Sequence, residues 1–374
     1  MKIACVCISR IPSVTANSIQ VMKACHALQQ SGYSVRLWAP EGEPTAWDGL
    51  AQHYGLETPF EVRWLPSARV LRRYDYSLRS VFQARAWGAD VLYTWTSQAA
   101  LPALWLGMPA VLELHAPVTG RLGPLLMRAF LRRAGKKRLL IITRALQRLL
   151  EQDFPGLLRA GELQIAPNGM DWAQYADLPP AAALRQQLGL PDGLTVGYTG
   201  HFYAGRGIDL LFELARAFPQ VNFLWVGGRP ADQAEWQARL SAAGVGNITL
   251  TGFQAQQKMP LYQGACDVLL MPYGASIAGS SGGDSSAFCS PMKMFDYLAA
   301  GRAILTSDLP VIHEVLNEGN ALFCPPDDLH AWQQALAALI NDPSLRQRLS
   351  EQARRDAQRY TWRARAEAAL ANFY

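Results

Sequence analysis

An α/β chain of two Rossmann-like halves is the fold class that this sequence predicts, and three observations carry it. At 374 residues, half of them apolar, the chain exceeds what one hydrophobic core usually organises, so two folded domains are the default. Short runs rich in Val, Ile and Leu alternate with helix-length segments, the pattern of parallel strands covered on both faces. That alternation occurs twice, and an Ala/Pro-rich stretch near residues 178–183 stands between the two series as a linker.

The first series opens with a strand at residues 3–8, a loop holding Arg10, Pro12 and Ser13, and a helix from about 17 to 30 that Gly32 stops. A second strand follows at 34–39, and the unit lacks G-x-G-x-x-G, so a dinucleotide fingerprint is absent. Further strands are expected at 62–65, 91–95, 110–114, 139–143 and 163–166. The uncharged window 91–112 has the length of a membrane span. Thr94, Thr96, Ser97, Gln98, Pro102, Gly107 and Pro109 interrupt it, so it reads as strand, helix and strand. The second series alternates strands at 194–199, 221–226, 248–251 and 267–271 with helices at 208–217, 231–243 and 258–264. Three helical segments close the chain, and the domains are placed at 1–175 and 190–355, with 356–374 as a terminal segment. Met1 and Lys2 lead directly into the first strand without a cleavable leader pattern. The six cysteines, Cys5, Cys7, Cys25, Cys266, Cys289 and Cys324, fall in apolar patterns without zinc-finger spacing, as reduced thiols of a cytosolic protein do.

The densest chemistry lies in residues 290–308. Ser290 reads as an N-cap with Pro291 at the first helical position, and the helix runs to Gly301 before a strand at 303–306. Ahead of it, residues 274–286 form a Gly/Ser-rich loop whose free N–H groups, at a positive helix end, suit an anion such as phosphate. Lys293 and Asp296 therefore occupy the first two turns beside a charged ligand. A second segment, 198–209, links strand to helix with Gly200, Gly205, Gly207 and Arg206, where bare backbone admits a ligand and the guanidinium offers a fork of donors. The two loops make one site only if they leave adjacent strands at their C-terminal ends.

Seven stretches in order, at 16–19, 167–171, 200–207, 247–252, 267–272, 293–301 and 360–362, resemble the retaining nucleotide-sugar glycosyltransferases of family 4. The resemblance implies the GT-B fold, two facing Rossmann-like domains, with a C-terminal segment from Tyr360 that crosses back to the first. It implies a nucleoside-diphosphate sugar as donor, with Arg206 and His201 in the positions of the basic pair that meets the diphosphate. Gly200, Gly207, Ser290, Asn17 and Asp296 fall on donor-binding positions, Asp296 being the second carboxylate of the E-x7-E motif, toward the ribose. The first carboxylate of that motif falls on Phe288, and Asp284 is the nearby candidate to replace it. Glu113-Leu114-His115 ends a predicted strand of the first domain, and the resemblance sets a histidine here beside the transferred sugar. Arg206, Lys293 and His115 are thus the residues expected to carry catalysis, with no metal and no other cofactor required. A GT-B epimerase or hydrolase, or a catalytically silent nucleotide-sugar-binding subunit, would present similar motifs.

The acceptor side is read from charge. The net charge of +5 divides into +9 over residues 1–170 and −4 over 171–374, which points the first half at an anionic partner. One basic cluster comprises Arg69, Arg72, Arg73 and Arg79. A second, Arg121, Arg128, Arg132, Arg133, Lys136, Lys137 and Arg138, is interleaved with Leu122, Leu125, Leu126, Met127, Phe130 and Leu131. That composition fits a helix against an anionic membrane surface, where a glycan or lipid-linked acceptor for surface polysaccharide synthesis would be met on the cytoplasmic side. A solvated face over a packed apolar stripe is the plainer alternative. Nucleic acid is not expected, since no aromatic-basic platform appears.

Overall fold

The computed structural model describes residues 1–278, 283–371 and 373. The chain divides into two compact units, Met1–Asn168 with Trp362–Tyr374, and Gly169–Thr361. In the first unit the strands are β1 (Lys2–Val6), β2 (Ser34–Pro40), β3 (Glu61–Leu65), β4 (Val91–Thr94), β5 (Ala110–Leu114), β6 (Lys137–Ile141) and β7 (Leu163–Ile165). Between them run α1 (Ala16–Gln30), α2 (Trp47–Tyr54), α3 (Tyr74–Ala86), α4 (Ser97–Trp105), α5 (Gly123–Arg132) and α6 (Arg144–Asp153). The second unit has strands β8 (Thr195–Gly200), β9 (Asn222–Gly227), β10 (Ile248–Gly252), β11 (Val268–Met271), β12 (Ala303–Ser307) and β13 (Leu322–Cys324). Its helices are α7 (Ala181–Leu188), α8 (Ile208–Ala217), α9 (Pro230–Ala243), α10 (Met259–Gly264), α11 (Met292–Ala300), α12 (Leu329–Asn341) and α13 (Pro343–Ala357), and α14 (Trp362–Leu370) returns the chain to the first unit.

Each sheet is parallel throughout, in the order β3-β2-β1-β4-β5-β6-β7 and β10-β9-β8-β11-β12-β13. Strand order therefore reverses between β1 and β4 and between β8 and β11, and the loops leaving the strands at these points open a crevice. The residues build this locally. Thr143 caps α6 by accepting from Leu146 N at 3.1 Å, and Asp342 caps α13 from Leu345 N at 2.9 Å with Pro343 behind it. The central strands β4 and β11 are buried on both faces, which explains their apolar runs, while the edge strands β3, β7 and β10 are largely half-buried. In the second core Trp225 meets Trp236 edge-on at 5.3 Å, and buried Trp332 donates to Pro325 O at 3.0 Å.

Two departures from the sequence reading have a plain physical reason. Residues 178–183 are not a linker, because Ala181–Leu188 is helical, with Leu184 buried and Arg185 paired to Asp267 at 3.1 Å. Pro179 and Pro180 precede the helix, where proline is tolerated, so an Ala/Pro run resembled a break. Strand β6 begins at Lys137, two residues ahead of the expected 139, because that lysine is buried and internally bonded.

Candidate functional site

The second unit brings the two sequence-predicted loops together. Strands β8 and β11 pair directly at the reversal of strand order, so the segments following them emerge side by side. They interlock through backbone: Gly274 N donates to Gly205 O at 3.0 Å and Ala278 N to Ala204 O at 3.3 Å. Glycine is required at this contact, since a Cβ on Gly205 would lie 2.0 Å from Ser276 O, and one on Gly207 2.0 Å from Pro272 O. Gly207 also takes φ 71° as the N-cap residue just before α8.

Lys293, the second residue of α11, is directed back over the end of β8. Its Nζ lies 3.9 Å from the centre of the Tyr198 ring and 5.6 Å from that of Tyr273. Arg206 stands over the other ring, 4.9 Å from the Tyr273 centre, with Nη2 3.5 Å from Ala278 O. The lysine Nζ is buried and has no hydrogen-bond partner among the described residues. Burial, and then repulsion from Arg206, holds its pKa well below the ordinary 10.5. Gly200, with φ 141°, keeps this approach open: a Cβ there would sit 2.7 Å from the lysine Nζ. Two basic groups over a tyrosine floor, with no anion paired to the lysine among the described residues, could receive a multiply charged anionic group.

The other predicted donor residues surround this pair with different roles. His201 is half-buried and stacks flat on Tyr203 at 4.7 Å. Asp296, half-buried on α11, neighbours Tyr175, whose phenol is pushed upward by burial first and then by the carboxylate. Beneath it Tyr175 donates to Gln263 Oε1 at 2.7 Å, and Gln263 donates to Thr199 at 3.3 Å, which fixes the floor of the site. Ser290 is buried but is not the helix cap: Pro291 keeps an extended ψ of 124°, so the helix starts at Met292. Asp284 is exposed and bonds its own loop, accepting from Ile277 N and Ser286 N at 2.9 Å each, and these donors hold its pKa below the ordinary carboxylate value. Cys289 N donates to Ser285 O at 2.9 Å. Within the loop 274–286, residues 279–282 lie outside the described residues.

In the first unit Glu113, at the end of β5, is buried at the centre of a polar cluster. Its Oε1 accepts from Gln20 Nε2 at 2.6 Å, His115 Nε2 at 2.5 Å and Arg365 Nη2 at 2.6 Å. Its Oε2 accepts from Arg365 Nη1 at 3.2 Å and from the Tyr93 hydroxyl. Burial alone would raise this carboxyl, but Arg365 and His115 hold it well below the usual range. His115 is half-buried, its side chain 22% exposed, and Asn17 is exposed in the first turn of α1.

The basic segment around α5 divides by burial. Arg132, Arg133 and Lys136 are exposed, as are Leu122 (54%) and Leu125 (59%), while Arg128 is half-buried with its guanidinium 5.9 Å from the Phe154 ring centre. Lys137 corrects the expectation of a surface cation: it is buried, donates to Leu131 O at 2.9 Å and pairs with Glu162 at 3.3 Å. In the other cluster Arg79 pairs with Asp75 and Arg73 donates to Ile8 O, while the Arg69 side chain lies outside the described residues. Sequence reasoning did not find Tyr198, Tyr273, Tyr93, Gln20 or Arg365. Tyrosines in apolar strands carry no local mark of function, and Arg365 meets Glu113 across 252 residues of chain.

Two doubly wound parallel units, one with a cation pair at its reversal of strand order, define a protein of the Rossmann-like α/β class. Family models agree in both halves: residues 18–174 match "Glycosyltransferase Family 4" and residues 193–342 match "Glycosyl transferases group 1". The chain belongs to the family-4 type of GT-B glycosyltransferase. It is 28% identical over 202 residues to a phosphatidyl-myo-inositol mannosyltransferase of Mycolicibacterium smegmatis, covering 52% of this chain and 47% of that protein. It is 26% identical over 222 residues to a D-inositol 3-phosphate glycosyltransferase of Kineococcus radiotolerans, covering 55% and 50%. The chain thus spans about half the length of these curated relatives. The fold is shared with Anabaena Alr3699/HepE, solved with UDP and glucose, at TM-score 0.76 and 18% identity over 100% of this chain and 99% of that one.

Proposed function

We propose that this chain transfers a sugar from a nucleoside-diphosphate sugar to a glycan or lipid-linked acceptor. The observation that carries it is the buried Nζ of Lys293, unpaired among the described residues, beside Arg206 at the end of β8. Breaking a sugar–diphosphate bond loads negative charge on the leaving phosphate, and two fixed cations stabilise it as it develops. Arg206 supplies a planar fork and Lys293 a point charge whose desolvation an arriving phosphate offsets. That pair answers the leaving-group charge without a metal or other cofactor, which makes activity insensitive to chelation in this reading.

Asp296 is assigned to the ribose and His115 to the sugar-accepting side. With the first carboxylate of the motif replaced by Phe288, no protein nucleophile is assigned, and retention follows if the leaving phosphate takes the acceptor proton on the same face. The relatives named above act on inositol-containing acceptors by their names, and the Anabaena neighbour holds UDP, which supports a diphosphate donor and a polyol or glycan acceptor. Among the described residues no helix is long and apolar enough to cross a membrane. The exposed Leu122 and Leu125 beside Arg132, Arg133 and Lys136 support docking on an anionic membrane surface at the cytoplasmic side, where surface polysaccharides are begun.

The test is a thermal-shift panel of uridine- and guanosine-diphosphate sugars with wild type, Arg206→Ala and Asp296→Ala. A rise of several degrees with one donor, lost in both variants, is the expected result. No rise with any donor, in a folded protein, overturns the proposal, and a rise without any turnover would mark a silent nucleotide-sugar-binding subunit. Donor consumption without any acceptor requirement would mark an epimerase or hydrolase.

A further inference from the structure

The C-terminal helix places an arginine inside the first unit's polar cluster, and the geometry there assigns it work beyond packing. Arg365 is buried, with side-chain exposure of 6%, and Glu113 is fully enclosed at 0%. The guanidinium makes two bonds to the carboxylate, at 2.6 and 3.2 Å, and is itself held by Pro167 O at 2.8 Å and Ala166 O at 3.2 Å. The pair is therefore fixed from both sides. Gln20 and the Tyr93 hydroxyl complete the shell of the carboxylate, which leaves Glu113 with one outlet toward the half-buried surface: the bond to His115 Nε2 at 2.5 Å.

An ionised carboxylate only accepts, so the hydrogen on His115 resides on Nε2 and the Nδ1 lone pair faces away from Glu113. Without Arg365 the buried carboxylate would take up a proton, gain a donor and lose its command of the tautomer. We propose that Arg365 and Glu113 are positioning residues that lock His115 as the Nε2–H tautomer, presenting Nδ1 as a hydrogen-bond acceptor to a hydroxyl of the sugar substrate. The last helix of the chain then belongs to the chemistry of the first unit. This rests on His115 being a site residue, as proposed above, but the tautomer itself does not depend on any substrate.

Long-range proton–nitrogen NMR of the histidine side chains, on the full ligand-free chain at mildly alkaline pH, reads the tautomer directly, with His115→Asn identifying the signal. The expected wild-type result is a single Nε2–H form. An Nδ1–H form, or an even mixture, overturns the proposal whatever becomes of any variant. Arg365→Met and Glu113→Gln should turn the signal into a tautomer mixture, and Arg365→Lys should restore part of the wild-type pattern. An unchanged Nε2–H signal in folded Arg365→Met and Glu113→Gln also overturns it. With the donor found in the thermal-shift panel, Arg365→Met should lower kcat tenfold or more while the KM for donor stays within about twofold, the signature of lost orientation. A locked tautomer together with an empty donor panel would retire the transferase reading and leave the positioning pair standing.

Discussion

The two units share a fold and differ in how each treats a buried charge. In the first, Glu113 is saturated: five hydrogen bonds reach its two oxygens, two of them from Arg365. In the second, the Nζ of Lys293 has two aromatic faces for company and no hydrogen-bond partner among the described residues. A buried charge with all its partners present is structure already completed, whereas one without a partner is a place kept for a ligand. The same βα architecture thus yields one rigid polar core and one receptive site.

The strongest way to break this contrast is to remove the carboxylate. Glu113→Ala leaves Arg365 buried and unpaired and should destabilise the chain by about 3–5 kcal/mol. Denaturant unfolding checks it, and a loss below about 1 kcal/mol would mean that the backbone carbonyls and entering water satisfy the arginine without the carboxylate. Lys293→Met should behave in the opposite way. Transfer falls about 10²–10³-fold, as for the loss of a group facing the developing charge. The ligand-free variant keeps or gains stability, because a desolvated ammonium is removed; a drop in its unfolding temperature would assign Lys293 to the scaffold.

Gly200→Ala tests the opening itself. The added methyl group, 2.7 Å from Nζ at φ 141°, should cost about 1–3 kcal/mol, read as weaker donor binding in calorimetry with the sheet intact. Dependence on pH sharpens the lysine claim further. With its folded pKa below 10.5, the folded chain has shed a proton that the unfolded chain keeps between those two values, so stability rises with pH across that window. The difference between wild type and Lys293→Met should change in that sense in unfolding at stepped pH. At a pH inside that window, donor binding favours the ammonium and should take up a proton that buffers of different ionisation enthalpy reveal. Smallest is the surface effect: Leu122→Asp with Leu125→Asp should leave stability within about 0.5 kcal/mol and reduce co-sedimentation with anionic vesicles. Unchanged sedimentation would make that face merely solvated.

Much of this molecule was legible before any fold was in view. The central strands announced themselves through uncharged apolar runs, and the end of β8 with the loop after it through Gly200, Gly205 and Gly207, each demanded by a close approach or a positive φ. What stayed hidden was pairing. Lys137 looked like one more cation of a basic face until its carbonyl partners were seen, and Ser290 looked like a cap until Pro291 proved extended. Residues 178–183, which run into the start of α7, read as a linker because helix propensity without a visible apolar stripe gives no hint of what Leu184 packs against.

The sequence by itself determined the alternation of strand and helix, and hence two parallel sheets, because periodicity and turn chemistry act over a few residues and need no distant partner. It also determined which residue types stand at the ends of β5, β8 and β11. Only the tertiary structure decided which of those charges are matched. Lys293 Nζ, over Tyr198, has no hydrogen-bond partner among the described residues, and Glu113 is matched by an arginine from the far end of the chain. Electrostatic satisfaction depends on distance in space and on exclusion of water, and neither is written in the local order of residues.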